Sequence, residues 1–155
     1  MRYTAHLGSM QPRDWTLLVV SKAETCLQPV QLQKALFLLG ENLTKPDLNS
    51  PGFYNFRAYD YGPFSAEVYQ DAETLEQEGM MAIARPPVTR FKVYSATDAG
   101  RARAETLMPT LTPTSQTYLG KVVTFVTALS FDELVSAIYT AYPKMRANSV
   151  FKDQP

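Results

Sequence analysis

Apolar residues recur at spacings of three and four along most of this chain, the period of helices that bury one face. From Pro12, a favoured first-turn residue, Trp15, Leu18, Val19 and Ala23 fall near one side of a first helix. A second helix is predicted from Pro29, with Leu32, Ala35, Leu36, Leu39 and Leu43 in phase. Pro46, Asn49, Pro51 and Gly52 break the pattern and predict a loop over residues 44–52. Residues 53–59 form a short extended aromatic stretch, closed by a turn at Asp60-Tyr61-Gly62-Pro63. The hydroxyl of Ser65 is expected to cap a third helix over residues 65–78, with Val68, Ala72 and Leu75 inward and Gly79 as its left-handed stop. Residues 80–84 and 91–95 read as two strands joined by a long tip. Thr97 caps a helix from Asp98 to about Leu107, and Pro109 ends it. Residues 115–129 carry a stripe of Tyr118, Val122, Phe125 and Leu129. Ser130 and Glu133 then form a capping box for a last helix that runs through Ala141.

Helix, helix, short strand, capped helix, hairpin and helix is the order of a winged helix-turn-helix. The expected fold is therefore mainly α with a small β-hairpin, an α+β winged helix with two additional C-terminal helices. Residues 1–10 show no periodicity and are left out of the fold as a flexible N-terminus. Residues 11–108 form the winged-helix domain, and residues 115–152 form a helical pair packed on the core or making a dimer seam.

Specific residues suggest kin. The segment SAEVYQDAETLEQEGMM from Ser65, followed by YSATDAGR from Tyr94, resembles the recognition helix, wing and exit helix of winged-helix regulators such as the PadR and MarR groups. Three further pieces, LQKALFLL from Leu32, YDYGPFSAEVY from Tyr59 and YTAYPKMRANS from Tyr139, resemble the YwgA-like proteins and the SocA-like antitoxin domain called Panacea. The resemblance implies a small non-enzymatic bacterial or phage protein of regulatory or toxin-neutralising type. It supplies no catalytic residues.

Composition narrows the chemistry. Fifteen basic residues balance 15 acidic ones, so no overall field selects nucleic acid or an anionic membrane. The longest mostly apolar run, near Val122 to Leu129, is too short to span a bilayer. One cysteine, Cys26, and a start without a secretory apolar stretch lead us to expect a cytoplasmic protein. A single histidine, His6, leaves no material for a His-rich metal site or a Cys-His or Ser-His pair. Glycines never occur as Gly-x-Gly, so no cofactor is expected.

Charge must then be read locally. Between Ala58 and Ala84 lie Asp60, Glu67, Asp71, Glu73, Glu76 and Glu78, with no Lys or Arg, which opposes docking of the third helix against phosphates. Basic residues follow it: Arg85, Arg90, Lys92, Arg101 and Arg103. The leading expectation is a DNA-binding transcriptional regulator that uses these five residues and Ser65 at the third helix N-terminus on double-stranded DNA. The alternative is a protein-binding adaptor or antitoxin-like module, with Tyr59, Asp60, Tyr61, Phe64 and Tyr69 as its contact face. Asp60 before Gly-Pro is read as a turn organiser, and Lys34, with Gln31 and Gln33 as neighbours, as a residue reaching water. The apolar residues of the last two helices are expected to form a homodimer seam or to cap the domain's own core.

Overall fold

Helix α1 (Pro12–Lys22) buries six consecutive residues, Trp15 through Val20, so it is enclosed on every side. The computed structural model describes residues 9–151, and α1 is the axis on which they are built. The chain continues through α2 (Pro29–Asn42), α3 (Lys45–Leu48), strands β1 (Arg57–Tyr59) and β2 (Gly62–Phe64), and α4 (Ala66–Gln77). Strands β3 (Met81–Ala84) and β4 (Val93–Ala96) follow, then α5 (Asp98–Leu107), α6 (Pro113–Ala128) and α7 (Phe131–Ala141). Short 3₁₀ turns at Met108–Thr110 and Pro143–Arg146 follow α5 and α7. The fold is mainly helical, an α+β arrangement with two small antiparallel hairpins.

Around α1 pack α2, α4, α5, α6 and β4. Helix α2 is the second axis, touching β2, α6 and α7. Each hairpin therefore rests on a different helix. The β3–β4 pair is tied further by Leu27, whose amide and carbonyl exchange hydrogen bonds of 2.8 and 2.9 Å with the backbone of Tyr94.

Several expectations are corrected here. Residues 1–8 lie outside the described residues, but Met10 belongs to the core, buried and hydrogen-bonded through its amide to the Asn49 carbonyl at 2.7 Å. The expected loop contains α3, because Thr44 accepts the amide of Asp47 and Asn49 closes the turn at φ 52°. The turn has a tertiary use: the Trp15 indole donates to the Leu48 carbonyl at 2.9 Å, satisfying a buried N–H. The aromatic stretch does not stop at one strand. Tyr59 pairs with Gly62 across a two-residue turn of Asp60 and Tyr61, and Pro63 enters β2 opposite Ala58. On a two-stranded hairpin the missing proline N–H is tolerated.

The C-terminal helices spend their apolar residues inside the chain. On α6 the buried face is Leu119, Val122, Val123 and Val126, rotated from the expected stripe, and Phe125 stays exposed. Leu134, Val135, Ile138 and Tyr139 of α7 are likewise buried. The seven of these residues from Val122 to Tyr139, expected either on the core or in a dimer seam, are buried by this chain's own elements. No helix among the described residues is long and apolar enough to cross a membrane.

Candidate functional site

Helix α2 starts with a capping box, in which the Gln31 side chain accepts the Gln28 amide at 2.7 Å and Pro29 occupies the first turn. Two residues on, the phase of the helix turns Gln33 and Lys34 inward, and both are buried. This corrects the reading of Lys34 as a residue reaching water. The helix period had placed Leu32, Ala35 and Leu36 inside, but β2 and α7 cover a wider arc that also takes in Lys34.

Gln33 is fully used. Its Nε2 donates to the Ser65 carbonyl and its Oε1 accepts the Ser65 amide, each at 2.9 Å, which pins the start of α4 to α2. Ser65 is therefore buried and its hydroxyl makes no cap, contrary to expectation. A side chain held under a neighbouring helix does not face a phosphate.

Lys34 is 4% exposed and its Nζ donates to the Pro63 carbonyl at 3.2 Å. No ion pair within 4.0 Å is made by Lys34 among the described residues. Burial alone pulls its pKa down to about 7, because the charged form loses water without gaining an anion. The hairpin lies directly on this lysine. A Cβ at Gly62, whose φ is +104°, would stand 3.3 Å from the Tyr139 ring and 3.5 Å from Lys34 Cε, so glycine serves both the turn and the close approach.

The C-terminal segment straps the same hairpin. The Asp60 carbonyl accepts the Val150 amide at 2.9 Å and the Ser149 hydroxyl at 3.3 Å, while Asn148 donates to the Ala58 carbonyl at 3.2 Å. Asp60 is thus a turn residue held by its backbone.

Above Lys34 opens a cavity of about 350 Å³. All five residues of the protein-binding alternative, Tyr59, Asp60, Tyr61, Phe64 and Tyr69, line it. Tyr59 stacks on Phe64 at 4.9 Å, Phe64 meets Tyr69 edge-on at 5.7 Å, and Tyr61 meets Phe131 edge-on at 5.1 Å. Burial pushes the Tyr69 phenol up to about 12, partly offset by a hydrogen bond from Gln33. Phe53, Tyr54 and Phe56, which share the same sequence stretch, pack on the core instead; the Tyr54 hydroxyl donates to Asp71 at 2.5 Å and meets Thr16 at 2.7 Å.

Sequence reasoning missed Phe91 and Phe131 in this wall. Phe91 sits in the β3–β4 tip and Phe131 in the first turn of α7, 37% and 38% exposed. The available signal was a large apolar residue at a helix start, where partners within the helix are few. Together with Tyr59 at 45% and Tyr61 at 44%, they form a collar of exposed rings around one opening.

The basic residues behave differently. Arg85 reaches Glu76 with both guanidinium branches at 2.9 and 2.8 Å, and Lys92 approaches Glu73 at 3.8 Å. The Arg85 hydrogen bonds hold the Glu76 carboxyl below its ordinary range. Arg101 pairs with Asp98 within α5 at 3.5 Å. Arg90 and Arg103 are exposed and make no ion pair among the described residues. Among the described residues no three His, Cys, Asp or Glu side chains gather as metal ligands.

No protein-family model matches the chain, and no curated protein matches it significantly.

Proposed function

We propose that this protein is a non-enzymatic, cytoplasmic binding module of winged-helix type with two additional C-terminal helices, and that it acts by holding a protein partner on the aromatic cavity. The observation that carries this reading is the collar of Tyr59, Tyr61, Phe91 and Phe131, half-exposed rings around one cavity. Rings that stand partly in water around a pocket match the anchors of protein interfaces, where aromatic residues supply contact area at low entropic cost. The resemblance to the YwgA-like and Panacea proteins fits an antitoxin-like or adaptor role.

DNA binding is the second reading. It is favoured by Arg90 at the tip of the wing and Arg103 on α5, whose charges no acid of the chain neutralises among the described residues. It is opposed by the pairing of Arg85 and Lys92 with α4, which spends two of its five basic contacts, and by the burial of Ser65.

A photoreactive phenylalanine analogue placed at Tyr61, at Phe131 or at Val88 in the wing separates the readings in cells. The expected result is one discrete protein adduct from Tyr61 and Phe131 and none from Val88. Anisotropy of labelled duplexes at two salt concentrations runs beside it. Salt-dependent duplex binding that is lost in Arg90→Glu/Lys92→Glu, with no protein adduct at the collar, would replace the first reading by the second.

A further inference from the structure

The Lys34 ammonium has three N–H donors, and the acceptor it reaches is the Pro63 carbonyl. No carboxylate of the chain pairs with it among the described residues, although it is 4% exposed. The other buried polar side chain on the wall, Gln33, is held by the Ser65 backbone, so Lys34 is the wall group with donors to spare. A buried cation of this kind is stabilised by an acceptor that brings negative charge. The rings beside it accept an apolar body. A cavity of about 350 Å³ holds one or two side chains and not a helix, whose diameter is about 10–12 Å. The exposed collar extends past the cavity mouth, giving residues that precede an inserted group a surface to cover.

Resting on the protein-binding reading, we propose that the cavity between α2 and the β1–β2 hairpin receives the C-terminal residue of a partner protein, its side chain among the rings and its terminal carboxylate on Lys34. A chain end carries its carboxylate at the tip and enters end-on, whereas a carboxylate in mid-chain brings two strands of backbone through the same opening. Asp60 in the turn also lines the cavity, so a second acidic group just before the terminus is disfavoured. The titratable groups around Lys34 are Tyr59, Asp60 and Tyr61 of the hairpin, Tyr69 of α4 and Tyr139 of α7.

The test is an NMR titration of the whole protein labelled with ¹³C,¹⁵N-lysine. The probes are the peptide acetyl-Gly-Gly-Phe with a free carboxylate, its C-terminal amide, and 3-phenylpropanoate. The expected result is about tenfold or more tighter binding of the acid than of the amide, with the Lys34 Cε signal moving toward the ammonium position. Lys34→Met erases the difference between acid and amide, its fold checked by its unfolding midpoint, while Tyr61→Ala weakens both peptides alike. Equal binding of acid and amide would overturn the carboxylate contact and leave the protein-binding reading standing. 3-Phenylpropanoate binding as tightly as the acid peptide would overturn the chain-end occupant, and binding of none of the three would overturn the whole proposal. Failure of the protein-binding reading shows separately, as loss of the adducts at Tyr61 and Phe131.

Discussion

The two hairpins of this protein hold charge in opposite ways. On β3–β4 the basic residues stand at the surface, and the acidic helix α4 answers them through Arg85–Glu76 and Lys92–Glu73. Beneath β1–β2 a lysine is buried under a glycine and a ring of aromatics, and its nearest polar partner is a neutral carbonyl. Charge in water is cheap and its pairing adds little; charge out of water is costly unless paired. A fold tolerates the second arrangement when the group can shed its proton, which the lowered pKa of Lys34 permits.

The comparison breaks most severely at the junction of β3 with α5. A Cβ on Gly100 would lie 1.9 Å from the Met80 carbonyl, so Gly100→Ala is expected to cost about 3 kcal/mol in urea unfolding. An effect below about 1 kcal/mol would mean that α5 and β3 slide apart easily.

Lys34→Met works in the other direction, by removing the buried amine. We expect a gain of about 1–3 kcal/mol at pH 7 from the same urea unfolding experiment. The pH dependence follows from the sign of the shift. The folded state holds Lys34 at about 7 against about 10.4 when unfolded, so between these values the unfolded chain binds more protons and stability rises with pH. That contribution is lost as pH falls from about 10.4 to about 7, and below about 7 both states are protonated. The wild type is therefore expected to gain up to about 1.4 kcal/mol per unit between pH 7.5 and 9.5, and Lys34→Met to be nearly flat there. A wild type as flat as the variant would place Lys34 in water.

Tyr61→Ala sharpens the contrast at the collar. This half-exposed ring is expected to change the unfolding midpoint little and partner capture by tenfold or more, measured by quantitative crosslinking from Phe131. The smallest effect belongs to the β3–β4 hairpin. Glu76→Gln releases Arg85 with almost no change in unfolding midpoint, because exposed pairs contribute little. If this hairpin reads DNA, the same change strengthens duplex binding at low salt; unchanged binding sets that reading aside.

Much of the frame was legible from local chemistry. The capping box at Ser130, the Thr97 cap and the Gly79 stop depend on neighbours within a few residues, and all three stand in the structure. The expected cap at Ser65 is not made by its hydroxyl, and the residue's backbone is held instead by Gln33, 32 residues away. Tyr59, Asp60, Tyr61, Phe64 and Tyr69 could be named as one face because they are close in the chain. Their division from Phe53, Tyr54 and Phe56 depended on which rings α1 and α2 cover.

By itself, then, the chain's own pattern determined where its longer helices lie, how most of them begin and end, and that the acidic helix precedes a basic hairpin. Those features follow from interactions over a few residues, which the order of side chains records directly. Tertiary structure alone decided that Lys34 is buried, that Phe91 and Phe131 join the rings of the first hairpin, and that Glu73 and Glu76 pair with Lys92 and Arg85 of the second. Burial and pairing across the fold depend on which elements meet, and the phase of a single helix carries no record of its neighbours.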